Sequence, residues 1–405
     1  MSFAAYVHPK NAYSVAIAIT PSLLGFAMLK LLLTHLNATQ YANYTLFLVG
    51  ISFANGFVAG PYVNFLKVGV YAPQHTDTSS FSAVFGLIGL LILVCNLFLY
   101  ACFGAFGGNF FFTVYVCSYQ LCFAIYNFAI FILNKNDRLP RLLALSVAPP
   151  LLNLASVGAY LGWGGKNHLV VGGLSVVGYV LACVALRNKI HRFSFRELGR
   201  IFRQSWRYVA PLGVYNLLVW VNASVGVLVL NYYYTPADLS VFGAFQVILT
   251  KLYALIGSLA LVRFTADLFR LNDISEALSV NLKLYVVVAA LALVVLTSLP
   301  SFWIALLVAE PLANQWKLFV LMNLIYFLSS LVSLLEQVFY YRKQTHTLVI
   351  NFMIGNAITL CSIALLPFSG VLGVAIAYLL GFAGMIVYLR HEWQKSNRSN
   401  RIYQP

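Results

Sequence analysis

Apolar and polar positions along these 405 residues do not alternate at a short period but segregate into long blocks. Apolar runs begin near Tyr13, Tyr41, Phe81, Phe110, Leu142, Leu169, Val209, Leu239, Leu284, Leu318, Thr347 and Val371. Most last about 20 residues, the length a helix needs to cross about 30 Å of hydrocarbon. In lipid every backbone polar group must be satisfied inside its own segment, and an uninterrupted run of this length does that as an α-helix. The pattern predicts an all-α, polytopic membrane protein with about twelve transmembrane helices in two six-helix lobes.

Charge orients the spans. Of the 25 Lys and Arg residues, 21 fall in segments that this threading places on one side: Lys10, Lys67, Lys135 to Arg141, Arg187 to Arg207, Arg263 to Lys283, Arg342-Lys343 and Arg390 to Arg401. Only Lys166 and Lys317 face the other way, and Lys30 and Lys251 lie inside spans. By the positive-inside rule both termini are cytoplasmic. The expected location is a bacterial inner membrane.

Composition agrees. The chain is 61% hydrophobic and 9% charged, with a net charge of +15 and a mean hydropathy of +0.85. A basic balance suits nucleic acid, but here it is spread over short loops, so attraction to anionic lipid headgroups is the reading and no nucleic acid is expected. The first apolar run shows no small-residue cleavage site and reads as a retained span. The six cysteines lie in or at the edges of apolar runs and show no disulfide or zinc spacing.

The one long basic connection, Arg187 to Arg207, contains Ser194-Phe195-Arg196-Glu197, a capping-box pattern that predicts a helix start. Arg196, Arg200, Arg203 and Arg207 recur on one helical face, with Phe195, Leu198, Phe202 and Trp206 on another. This suits a helix lying in the headgroup region before the seventh span. The expected organisation is an N-terminal lobe over 1–190 with helices 1–6, a basic amphipathic linker over 191–207, a C-terminal lobe over 208–392 with helices 7–12, and a basic tail over 393–405. The halves repeat weakly: Tyr44, Leu46 and Phe47 match Phe242, Ala244 and Phe245, while Gly178 and Leu186-Arg187 match Gly381 and Leu389-Arg390. Six spans per half make the repeats parallel, an architecture in which transporters bind substrate between halves.

Outward loops are short, and paired carboxylates, Ser/His/Asp sets, metal-ligand spacings and phosphate-binding Gly-rich loops are missing. The seven histidines scatter at membrane edges. The sequence therefore predicts no catalytic residues, no metal and no cofactor.

The stretch Leu31 to Tyr44, with Gly60-Pro61 in the second span, resembles the opening of Wzx-type polysaccharide flippases. Those belong to the multidrug/oligosaccharidyl-lipid/polysaccharide exporter superfamily. The resemblance recurs at Leu261 to Phe264, at Glu336-Gln337 before Arg342-Lys343, and at Leu366-Pro367 before Gly370 to Ala375, and covers the whole chain. It implies a non-enzymatic flippase that carries an undecaprenyl-pyrophosphate-linked oligosaccharide repeat unit across the inner membrane for O-antigen or capsule assembly. Implied partners are that lipid-linked cargo, membrane lipids, a polysaccharide polymerase and a chain-length regulator.

An ionisable residue deep in a span is costly unless it faces water or protein, which makes it a candidate site. Lys251 has about 12 residues on either side, roughly 18 Å of helix, beyond a lysine's reach to the interface. It is the expected anion-binding cation of a water-filled cavity, with backbone carbonyls or a polar neighbour such as Asn55 as its structural alternative. Lys30, near the outer end of the first span, either snorkels or lines the same cavity with Thr34 and Phe26. Asn55 is a candidate sugar ligand, as are Asn127, Asn222 and Asn323, with interhelical hydrogen bonds of about 1 kcal/mol as the alternative explanation. Glu336 is either ion-paired with Arg342 and Lys343 or a coupling-ion site. Two other classes stay open: a cation-coupled drug or metabolite antiporter of the same superfamily, which calls for a more acidic cavity, and an integral-membrane polymerase or acyltransferase, which calls for a large outer loop.

Overall fold

The computed structural model describes residues 9–71, 78–103, 110–135, 139–186, 195–271, 274–307, 310–341, 344–365 and 370–402. All regular structure among them is helical, and the contacts divide the chain into two compact units, Met1–Trp220 and Val221–Pro405.

The first unit contains α1 (Pro9–His35), α2 (Ala38–Ala54), α3 (Gly60–Tyr71), α4 (Thr78–Phe103), α5 (Phe110–Lys135), α6 (Leu139–Gly162), α7 (His168–Leu174), α8 (Val177–Leu186) and the first part of α9 (Phe195–Tyr233). A single π-helical turn, Asn55–Ala59, joins α2 to α3, so the second apolar run is one span with a widened turn in it. Val63, Leu66, Val84, Ile88, Ile92, Ala124 and Phe128 bury a core among α3, α4 and α5, and Val209 of α9 closes it. α1 packs on α6, and α8 packs on both α5 and α6.

The second unit holds the rest of α9, then α10 (Pro236–Leu271), α11 (Ile274–Ser298), α12 (Pro300–Leu307), a 3-10 turn (Glu310–Gln315), α13 (Trp316–Tyr341), α14 (Thr345–Leu365) and α15 (Gly370–Ile402). α15 packs on α13 and α14, while α10 and α11 pack on each other and on α13.

Eight helices among the described residues are long and apolar enough to cross a membrane, and a ninth span forms if the bent pair Leu282–Ser298 and Pro300–Leu307 counts as one. That pair turns through 96° where Pro300 follows Ser298 and Leu299, since the residue before a proline is pushed out of the helical region. The bent pair and three shorter apolar helices, Ile19–His35, Val84–Phe98 and His168–Ala182, account for the remaining apolar runs read from the sequence.

Several serine and threonine hydroxyls inside the spans donate back to their own helices, as Thr45 does to the Tyr41 carbonyl at 3.0 Å and Ser146 to that of Leu142 at 2.8 Å. This satisfies each hydroxyl without a tertiary partner. Two glycines permit close helix approach instead. A Cβ on Gly178 would run into the Pro149 backbone of α6, and one on Gly381 would meet Thr359 Oγ1 and, at 3.0 Å, the Gly355 carbonyl oxygen of α14. These are the two glycines matched between the halves in the sequence.

The matched turns also share hydrogen bonding. Before α2, Asn37 Oδ1 accepts from Gln40 N at 2.9 Å and Gln40 Oε1 accepts from Asn37 N at 3.0 Å. Before α10, Thr235 Oγ1 accepts from Asp238 N at 3.3 Å and Asp238 Oδ2 accepts from Thr235 N at 3.2 Å. Both are reciprocal capping boxes, satisfying backbone donors that a helix start leaves orphaned.

The basic connection resolves into one long helix. Ser194 and the residues from Arg187 to Phe193 lie outside the described residues, but α9 begins at Phe195 and runs without a break through the seventh span. Its 39 residues span about 58 Å at 1.5 Å per residue, well over the hydrocarbon thickness. From Phe195 onward the amphipathic segment is continuous with the span helix. Arg200, Arg203 and Arg207 are exposed on it, as are Phe202 and Trp206, while Ser205 and Val209 form the buried stripe.

Candidate functional site

The sequence candidates divide between the units: Lys30 and Asn55 belong to the first, Lys251 and Glu336 to the second.

Asn55 opens the π turn. A π turn disturbs the regular hydrogen-bond ladder, and carbonyls on α2 and the turn also accept from side chains of other helices, the Ile51 carbonyl in addition to its bond from the Asn55 backbone N–H. Gln120 of α5 donates to the Ile51 carbonyl at 3.0 Å, Asn216 of α9 to that of Gly56 at 3.0 Å, and Trp220 of α9 to that of Val49 at 3.2 Å. The Trp220 indole also sits edge-on to Phe53 with centroids 4.8 Å apart. Behind Gln120, Asn96 donates to Gln120 Oε1 at 2.5 Å. The turn is therefore clamped from α5 and α9.

Beside it lies a cavity of about 150 Å³ lined by Asn55, Asn64, Asn127, Gly60 and Phe123. At about 30 Å³ per water this is room for roughly five waters or a small polar group. The Asn55 side-chain oxygen is buried without a hydrogen-bond partner among the described residues. Three carboxamides, each both donor and acceptor, and one aromatic ring line a recess with no charged side chain. Such a lining matches neutral hydroxyl groups better than ions.

Lys30 is exposed on α1, five residues from the helix end at His35. The Thr34 hydroxyl, its sequence neighbour in the cavity reading, donates at 2.8 Å to the Lys30 carbonyl within the same helix.

Lys251 sits on α10 inside the candidate span Pro236–Gly257, half-buried. No hydrogen bond or ion pair reaches its ammonium from any described residue. Elsewhere on α10, Tyr253 donates to Asn323 Oδ1 at 2.8 Å and Gln246 to the Ala223 carbonyl at 2.9 Å. In a low-dielectric span such a cation has a strong affinity for an anion that reaches it.

Glu336 is buried on α13, with the Asn351 side-chain amide of α14 donating to its Oε1 at 3.5 Å. Arg342 and Lys343, its expected ion-pair partners, lie outside the described residues. Glu336 and Lys251 form no ion pair with each other.

Sequence reasoning missed Gln120, Asn216, Trp220 and Asn64. A glutamine in the middle of an apolar run was a legible signal for the first. The others carry meaning only once α2 opens at the π turn.

No family model matches the chain, and no curated protein matches it in sequence. Solved structures do. A lipid II flippase, MurJ, in an inward closed conformation is similar with a TM-score of 0.75 and 16% identity over 95% of this chain and 87% of that one. A multidrug-resistance MATE transporter of the MOP superfamily, in its inward-facing conformation, gives 0.63 at 14% identity over 97% and 99%. A eukaryotic MATE transporter gives 0.64 at 15% identity over 97% and 98%. Identity this low speaks for the backbone alone, and on that ground the chain shares the all-helical fold of these solved structures.

Proposed function

We propose that this protein is a non-enzymatic flippase that moves an undecaprenyl-pyrophosphate-linked oligosaccharide repeat unit across the bacterial inner membrane for O-antigen or capsule assembly. The observation that carries the reading is Lys251, a span cation with no described partner, which suits an anionic headgroup and would be a liability in a site for cations. The uncharged asparagine recess beside the π turn suits the sugar portion, with Asn55 and Asn127 as its ligands. Lys30 would attract the pyrophosphate toward the outer end of the first span. The similarity to a lipid II flippase supports a lipid-linked cargo.

Transport proceeds by alternating access. Glu336, a buried carboxylate on α13 that accepts from the Asn351 amide, is the group we assign to ion coupling. Both termini face the cytoplasm. A polysaccharide polymerase and a chain-length regulator act on the delivered cargo.

The antiporter reading rests on the similarity to MATE transporters and on Glu336. It predicts drug efflux that depends on Glu336 and is indifferent to Lys251. The deciding experiment deletes the gene in a strain with no redundant flippase. Loss of long surface glycan, with lipid-linked repeat unit accumulating on the cytoplasmic side, is expected. Unchanged surface glycan overturns the assignment.

A further inference from the structure

Where α13 and α15 approach the end of their spans, at Glu336 and Lys395, a groove of about 380 Å³ opens between them. Leu335 and Ile386 form its apolar floor, and Arg390, Trp393 and Gln394 form its polar wall. Residues 386, 390, 393 and 394 recur at helical spacing, so one face of α15 supplies all four. The nearby acids point elsewhere. Glu392 lies near Tyr388, and both are about 200° around the helix from Arg390, while Glu336 is turned toward Asn351. Neither Arg390 nor Trp393 has a hydrogen-bond or ion-pair partner among the described residues. On the same helix, the exposed apolar residues Leu372, Ile376, Leu380 and Val387 form a ridge that leads along α15 to Arg390. From Leu380 to Arg390 is about 15 Å of helix, half the thickness of the hydrocarbon.

We propose that this groove docks the headgroup of an anionic phospholipid, its phosphodiester held by the Arg390 guanidinium and the Trp393 indole N–H, with an acyl chain lying along the Leu380–Val387 ridge. A guanidinium at a membrane edge matches a phosphate in both charge and fork geometry, and an indole prefers that level for its amphipathic ring. The apolar floor suits a lipid and would offer a soluble phosphate nothing. On the orientation proposed above the lipid belongs to the cytoplasmic leaflet, although the site itself does not depend on the cargo.

The test uses the purified full-length protein in mixed micelles holding equal amounts of phosphatidylglycerol and phosphatidylcholine, with retained lipid counted by native mass spectrometry. Wild type should retain phosphatidylglycerol preferentially. R390Q should cut that preference about fivefold, the equivalent of about 1 kcal/mol for the loss of one specific hydrogen-bonded contact. R390K should retain most of it, and W393A should weaken it. R203Q, which removes an equally exposed arginine on α9, should leave it unchanged. Equal retention of both lipids, or an equal loss in R203Q, would overturn the site in favour of diffuse attraction. Displacement by millimolar inorganic phosphate would overturn the lipid assignment, and complete displacement by undecaprenyl phosphate would transfer the groove to the cargo and overturn it likewise.

Discussion

The Asn216 side-chain amide donates to the Gly56 carbonyl at 3.0 Å, so a residue 160 positions further along the chain supplies a hydrogen bond at the π turn of the second span. Replacing Asn216 by Ala leaves that carbonyl without its donor in a membrane-spanning segment. We expect a loss of about 1–2 kcal/mol, read as a lowered midpoint of thermal unfolding in detergent. Gly60→Ala should disturb the same place, because its Cβ would sit 3.0 Å from Asn216 Nδ2. Wild-type unfolding of Asn216→Ala would show that the turn holds without the clamp.

Lys251 separates a charge role from a packing role. If its ammonium attracts an anionic headgroup, Lys251→Arg should keep part of the transport, since the charge survives while fork geometry replaces a compact point charge. Gln or Ala should abolish most of it. The measurement is surface glycan restored in a deletion strain, normalised to inserted protein. Full restoration by Lys251→Ala would remove the residue from the site.

Helix approach at Gly381 gives a test of the fold that is independent of cargo. Gly381→Ala drives a Cβ into Thr359 and the Gly355 carbonyl, and overpacking of this kind costs about 1–3 kcal/mol. Gly257→Ala meets nothing within 4 Å and replaces a helical glycine, so it should be neutral or stabilising by up to about 1 kcal/mol. Thermal unfolding of the pair measures the contrast, and equal midpoints would refute the close contact of α14 with α15.

Orientation follows from the one-sided distribution of Lys and Arg. A periplasm-active reporter fused after Asn109 or Lys166 should be active, and one fused after Lys135 or Arg200 should be silent. The reverse pattern would invert the topology and move the lipid groove at Arg390 to the other leaflet.

The sequence made the spans legible because lipid leaves the backbone few options, and each apolar run has its helix or helix pair. Irregularities within runs were less visible. The π turn at Asn55–Ala59 runs into Gly60-Pro61, whose proline has no N–H to give the turn, but a proline in a span does not by itself specify a π turn, and the 96° bend likewise falls at a proline, Pro300. Lys251 stood out because a cation in an apolar run is costly wherever it points. The recess was legible only in part: Asn55 and Asn127 were visible as span amides, but that Asn64 and Phe123 join them depends on how α3 meets α5. The Glu336 to Asn351 contact was within reach of the sequence, since the two residues are equidistant from the turn linking α13 to α14.

The two capping boxes act as a ruler. Asn37 and Thr235 are 198 positions apart, as are Gln40 and Asp238, and the buried rings of Phe47 and Phe245 keep the same interval. Carried six residues deeper, nearly two turns, that interval sets Lys251 against Phe53, the ring packed on Trp220. Duplication of the frame has therefore not duplicated the charge. Each molecule offers a single ammonium at this register, so a headgroup captured by Lys251 should bind with a stoichiometry of one.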